Sequence, residues 1–236
     1  MTRPLALVYR GNAARPEECS VAVAQLLRSS RWGFDVRYAG PKEELHLTPD
    51  VLARVALYAQ PGGGELGDAY RRMRKYESAI RDFVAGGGRY LGFCLGGYLA
   101  GATPGFGLLP GDTDQYIATR GATIASERDT VVQIRWRGRP HQLYFQDGPA
   151  FLLRPDATGV SVLARYPNDA IAAVTAPFGA GVVGVVGPHP EATQDWYDDC
   201  GLLLPDGLDT SLGHDLIDAV MTHRTALIPY PRSSPS

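Results

Sequence analysis

The sequence predicts an α/β fold in which helices flank a mostly parallel central sheet and antiparallel strands are added in the second half. Two observations predict it. Up to Phe93 short apolar runs alternate with helical patterns, as in a parallel sheet with crossover helices. Beyond Gly105 the pattern changes to closely spaced β-like runs with turns between them, which favours antiparallel pairing or additions to the main sheet.

In chain order, Pro4 to Arg10 reads as the first strand. A helix follows from Pro16 to Ser29, on which Val21, Val23, Ala24, Leu26 and Leu27 recur on the apolar face. Phe34 to Tyr38 is the second strand. Thr48-Pro49-Asp50 signals a helix start, with Thr48 as N-cap and Pro49 in the first helical position, before the short run Val51 to Val55. Ala56 to Gln60 is the third strand and ends in Pro61-Gly62-Gly63-Gly64. One long helix is expected from Ala69 to Ala85, stopped by Gly86-Gly87-Gly88, where glycine takes the left-handed cap conformation. Arg89 to Phe93 is the fourth strand. The later runs are Gln115 to Thr119, Thr130 to Arg135, Gln142 to Phe145, Val160 to Tyr166, Ile171 to Thr175 and Gly181 to Val186, with a hairpin turn at Trp136-Arg137-Gly138-Arg139. His214 to Leu227 reads as the closing helix. A single domain is expected over residues 1–228, with 229–236 as a frayed tail.

The bulk numbers narrow the class. The 236 residues are 44% apolar and 20% charged, enough for a sizeable core without metal or disulfide staples. With 23 basic and 25 acidic residues the net charge is −2 and no long run carries one sign, which argues against a nucleic-acid surface or a polybasic membrane patch. No apolar run approaches the ~20 residues of a membrane span. The opening MTRPLALVYRGN lacks a signal-peptide core and cleavage site. Three cysteines without CxxC spacing fit reduced thiols, so a cytoplasmic location is expected, with no metal and no cofactor.

Three segments carry chemistry. Tyr90-Leu91-Gly92-Phe93-Cys94-Leu95-Gly96-Gly97-Tyr98 runs from a strand into a helix with a cysteine at the turn. Its core, G-x-C-x-G, is that of a nucleophile elbow, where glycines two before and two after leave room for a sharply strained turn. The turn sets Cys94 at a helix N-terminus, which favours thiolate over thiol. The plainer alternative is a small buried hydrophobe, but that does not require the flanking glycines. Second, the apolar strand Val182 to Val186 ends in Gly187-Pro188-His189-Pro190-Glu191. A histidine that moves the thiol proton and a carboxylate that orients it are the residue types this chemistry needs, although alone the segment also reads as a turn with a solvated carboxylate. Third, Gly62, Gly63 and Gly64 follow a strand. Their backbone N–H groups can approach a ligand, so Gly63 together with Leu95 is expected to form an oxyanion hole. A flexible strand-to-helix turn is the alternative reading.

Taken together, these segments resemble the class I glutamine amidotransferase superfamily, with its G-x-C-x-G elbow, later His-x-Glu and upstream Gly-rich loop. Within it they are most similar to the biotin-protein ligase N-terminal-like family. The similarity includes Tyr58 to Gly64, the helix around Arg72 to Tyr76, Gly87 to Tyr98, Tyr144-Phe145-Gln146-Asp147-Gly148-Pro149 and Gly187 to Glu191. The resemblance implies a flavodoxin-like three-layer sandwich with a Cys94, His189, Glu191 triad at the carboxyl edge of the sheet. It implies a cysteine-dependent amidase or acyl transferase acting on an amide or related acyl group of a small molecule. It does not imply biotin ligation, because the nearest string to an adenylate loop, Trp136-Arg137-Gly138-Arg139-Pro140, falls in a hairpin.

Around the triad, Gly62, Gly64, Gly96, Tyr98 and Asp147 are the expected substrate-binding residues, Asp147 as a contact for a substrate amine or as a turn residue that bonds its own backbone. Expected partners are the small-molecule substrate, a separate synthase chain if ammonia is transferred, and a second copy of the chain in a homodimer. The rival reading is a catalytically silent binding or regulatory module on the same fold. His46, His141, His214 and His223 lie outside any motif and are expected to be surface or satisfied core histidines.

Overall fold

The central strands are apolar on both sides because each of their faces is covered by helices. The computed structural model describes residues 3–204 and 207–223. β1 (Leu5–Tyr9) lies between β2 (Asp35–Ala39) and β3 (Leu57–Gln60), and β4 (Arg89–Phe93) lies between β3 and β11 (Gly181–Val186), all in parallel. From β11 onward pairing is antiparallel, through β10 (Ile171–Phe178) and β9 (Ser161–Arg165) to the hairpin of β6 (Thr130–Trp136) and β7 (Arg139–Phe145). β5 (Gly111–Gln115) pairs β8 (Pro149–Leu153), which joins β10. This is the α/β class expected, with the antiparallel strands in the second half.

Alternation along each strand separates two cores. Ala6 and Val8 of β1, Leu91 and Phe93 of β4, and Val182 and Val186 of β11 pack with α1 (Glu17–Ser29) and α7 (Ser211–Thr222). Leu7 and Tyr9, Tyr90, and Val183 and Val185 face the other way. There they meet α2 (Pro49–Leu52), α3 (Leu66–Met73), α4 (Glu77–Ala85) and α5 (Leu95–Leu99). Gly184 of β11 lets α7 approach, since a Cβ there would lie 2.1 Å from Val220 Cγ2.

Several local expectations hold. Thr48 caps α2, its Oγ1 accepting from the Val51 N–H at 3.3 Å. At the end of α4 the Gly87 N–H donates to Val84 O and the Gly88 N–H to Phe83 O, with Gly87 at φ +112°, a Schellman arrangement. The turn between β6 and β7 has Arg137 and Gly138 both at positive φ, matching the twist of the hairpin, and Arg137 and Trp136 both donate to Asp215 on α7.

Other expectations need correction. The single helix expected over Ala69 to Ala85 is α3 and α4 separated by a 3₁₀ turn, Arg74–Tyr76. Tyr70 OH donates to Glu77 Oε2 at 2.8 Å across the break. The strand expected over Gln115 to Thr119 instead ends at Gln115 and continues as a 3₁₀ turn, Tyr116–Ala118. There Tyr116 stacks on Tyr166 at 3.8 Å between ring centroids rather than joining a ladder. β8 and the short helix α6 (Gln194–Asp199) appear where neither was expected. The last helix begins at Ser211 instead of His214, and the end expected for it at Leu227 and the tail at 229–236 lie outside the described residues. Among the described residues no helix is long and apolar enough to cross a membrane.

Candidate active site

Cys94 lies between β4 and α5 at φ 45°, ψ −106°, a conformation L-residues rarely adopt. The elbow is fixed from several sides. The Cys94 N–H donates to Val186 O at 2.9 Å, tying it to the end of β11, and Tyr90 OH donates to Gly96 O at 2.7 Å from below. The flanking glycines are required by contact. A Cβ on Gly92 would lie 2.4 Å from Gly96 O, and one on Gly96 would lie 2.0 Å from Gln60 O.

His189 follows β11 directly, so the strand that anchors the elbow also delivers the histidine. Its N–H donates to Tyr144 O at 2.9 Å, and its ring is met edge-on by Tyr144 and Trp196, 5.8 and 5.3 Å between centroids. His189 and Glu191 are both buried, and Nδ1 pairs with Glu191 Oε1 at 2.8 Å. Glu191 Oε2 has no hydrogen-bond partner among the described residues. Burial alone would lower the His189 pKa, but the charge of Glu191, then the charge of and hydrogen bond with Cys94, outweigh it and raise the value to about 10. The imidazolium is therefore the favoured form between the Glu191 carboxylate and the Cys94 sulfur. Cys94 Sγ also reaches Gln146 O at 3.6 Å.

The Gly-rich loop closes the other side. Gly62 has no room for a side chain, since a Cβ would lie 2.7 Å from His189 Cε1 and 3.2 Å from Cys94 Cβ. Gly63 and Gly64 both take φ +90°, and Gly63 packs on the backbone of Arg15. Buried Gln60 joins the loop to the segment before α1: Tyr58 OH donates to its Oε1 at 2.6 Å, and its Nε2 donates to Ala13 O at 2.9 Å. The Leu95 N–H, in the first position of α5, has no intrahelical acceptor.

A cleft of about 600 Å³ opens over Cys94. Of the expected site residues, Cys94, the oxyanion candidates Gly63 and Leu95, and the binding candidates Gly64, Tyr98 and Asp147 line it, while Gly62, Gly96, His189 and Glu191 do not. Tyr98 OH donates to Asp147 O at 3.0 Å, and Gln115 Nε2 donates to Asp147 Oδ2 at 2.7 Å. Asp147 takes φ 45° and its carboxyl pKa is raised, by burial first and then by Glu127 and Glu65, against the lowering effect of Gln115. Arg15, Glu65, Asp114, Gln115 and Glu127 also line the cleft and were not singled out from the sequence. Outside the site, His46 Nδ1 pairs with Gly40 O and His214 Nε2 with Ser29 Oγ, as expected of histidines without a catalytic motif. No group of three or more His, Cys, Asp or Glu among the described residues could hold a metal ion.

Comparison with known proteins agrees with this architecture. The model of the family described as biotin-protein ligase, N terminal, matches residues 5–115. A biotin–protein ligase from Schizosaccharomyces pombe is 29% identical over 167 residues, 61% of this chain but 26% of the ligase, so the chain spans about a quarter of that relative. The imidazole glycerol phosphate synthase subunit HisH from Rhodopirellula baltica is 27% identical over 176 residues, covering 67% of this chain and 82% of that subunit. A crystal structure of a glutamine amidotransferase superposes with a TM-score of 0.57 at 20% identity, covering 84% of this chain and all of that one. The elbow, the sheet and these comparisons agree in direction: the chain is similar to class I glutamine amidotransferase-like proteins and, over residues 5–115, to the biotin-protein ligase N-terminal family.

Proposed function

We propose that the chain is a cysteine-dependent amidase or acyl transferase that acts on an amide or related acyl group of a small molecule through Cys94, His189 and Glu191. The observation that carries this reading is the strained Cys94 at the floor of an open cleft, with buried His189 beside it and paired to Glu191 at 2.8 Å. In the reaction the Cys94 sulfur attacks the acyl carbon. The C–N bond breaks, and His189 gives its proton to the departing amine. Glu191 holds the ring through Nδ1 and stabilises the imidazolium. Water, deprotonated by His189, then attacks the thioester, releasing the acid and restoring the thiol; an amine in place of water makes the reaction acyl transfer. The oxyanion of each tetrahedral intermediate is assigned to the Leu95 N–H and to the Gly-rich loop at Gly63.

HisH is a synthase subunit. By analogy, a separate synthase chain is the acceptor to test if ammonia is the product. The experiment is a screen of small amides, glutamine included, for release of ammonia or amine, with Cys94→Ser as the blank. Release that depends on Cys94 supports the reading. Absence of turnover across the screen, together with alkylation of Cys94 no faster than of Cys19, favours a silent binding module on this fold.

A further inference from the structure

The charges around the cleft are unequal. Four carboxylates line it, Glu65, Asp114, Glu127 and Asp147, against one guanidinium, Arg15. None of the four forms an ion pair among the described residues, and the Arg15 Nε is already engaged by Asn12 Oδ1 at 2.8 Å. Asp147 is the innermost of them. Its backbone is held at positive φ, one carboxylate oxygen is bonded by Gln115, and the other, Oδ1, is buried without a partner among the described residues. The Tyr98 hydroxyl, one helical turn past the nucleophile, bonds the Asp147 carbonyl and feels Asp147, Cys94, Asp114 and Glu127 together. The acids therefore meet from separate segments of the chain at the cleft that also holds Cys94. They are not arranged to share a metal ion. Like charges held unpaired around a concave site focus a field that favours a ligand of the opposite sign.

Resting on the reading of Cys94 as nucleophile, we propose that the cleft selects an organic cation: a substrate whose ammonium or guanidinium group lies against Asp147, with Glu127, Asp114 and Glu65 around it, while its acyl carbon reaches Cys94. An anionic substrate would meet four carboxylates against a single guanidinium. A zwitterion would place its positive end inward.

The test reads charge preference at the thiol without requiring turnover. Cys94 is modified with three methanethiosulfonates: 2-aminoethyl (cationic), methyl (neutral) and 2-sulfonatoethyl (anionic). Rates at the Cys94 peptide are measured by mass spectrometry and divided by those of a small free thiol, which removes intrinsic reactivity. The cationic reagent is expected to exceed the anionic one by at least about tenfold. The ratio should shrink in Asp147→Asn and Glu127→Gln, and in the wild type as salt is raised from about 10 mM to about 1 M, where the Debye length falls from about 30 to about 3 Å. Glu127 is exposed, so its variant and the salt series stand even if Asp147→Asn misfolds. In parallel, amides of one length bearing an ammonium, an acetylated amine or a carboxylate are offered as substrates, and the ammonium form should be turned over best.

A ratio near one, a preference for the anion, or best turnover of the carboxylate amide overturns the cation assignment while leaving the nucleophile in place. Failure of Cys94 to react with any reagent removes the nucleophile, and the assignment falls with it. A cationic preference at a reactive Cys94 with no amide turned over upholds the ligand charge and counts against the amidase reading.

Discussion

Gly62 and Gly96 are both glycines that admit no Cβ, yet they fail for different reasons and should be separable by experiment. At Gly62 the obstacle is the Cys94–His189 pair, His189 Cε1 at 2.7 Å and Cys94 Cβ at 3.2 Å. The obstacle is a side-chain ring rather than backbone, so Gly62→Ala is expected to push it off line. Misplacement of about 1 Å costs about 100-fold in rate. Alkylation of Cys94 and any amide turnover should fall by that order, while the urea midpoint shifts little. At Gly96 the obstacle is backbone, Gln60 O at 2.0 Å, and Gln60 is fixed by Tyr58 and Ala13. Gly96→Ala therefore has to displace the loop or the elbow, at about 1–3 kcal/mol as for an overpacked core. A Gly62→Ala protein that is unfolded, or a Gly96→Ala protein with an unchanged midpoint, would contradict this division.

At the scale of elements, the end of α4 offers a test of backbone cost without contact. Gly87 carries the left-handed residue of the Schellman motif at φ +112°, and nothing lies within 4 Å of where its Cβ would be. Gly87→Ala should then cost about 1–2 kcal/mol from conformation alone, read as a lower urea midpoint with an unchanged slope. An unchanged midpoint would mean that the turn relaxes to negative φ. This cap was legible in Gly86-Gly87-Gly88, as β1, β3, β4 and β11 were in their continuous apolar runs, which follow from burial on both faces. β8 was not legible. It opens on Pro149 and leaves Leu152 49% exposed, so it lacks the regular alternation of a strand signal. The break between α3 and α4 was hidden because Ala69, Met73, Ile80 and Val84 keep a helical spacing across it. Cys94, His189 and Glu191 stand out in sequence because each sits in a short local pattern at a strand end. Arg15, Glu127 and Asp114 do not, since their segments meet at the cleft only through the fold and no local spacing records that meeting.

Across the whole molecule the same strand order that separates two cores also sets the buried charges. β11 lies beside β4, so the histidine that follows one strand meets the cysteine that follows the other, deep enough that burial opposes the imidazolium and only Glu191 and Cys94 sustain it. That balance makes stability depend on pH in a definite direction. The folded-state pKa of His189, about 10, lies above its unfolded value of about 6.5. Its contribution is therefore fully present below about pH 6.5 and is lost as pH rises through about 10, because over that range the folded state binds the proton that the unfolded state has released. Glu191→Gln removes the largest raising influence and leaves burial, which lowers the value. The variant should be less stable than wild type near pH 6.5, and the gap between their unfolding free energies should narrow as pH is raised toward 10. Taking the difference between the two proteins cancels groups that are not coupled to His189. Urea unfolding of both across pH 6 to 10 measures it. A gap that stays constant would show that Glu191 does not hold His189 in its charged form.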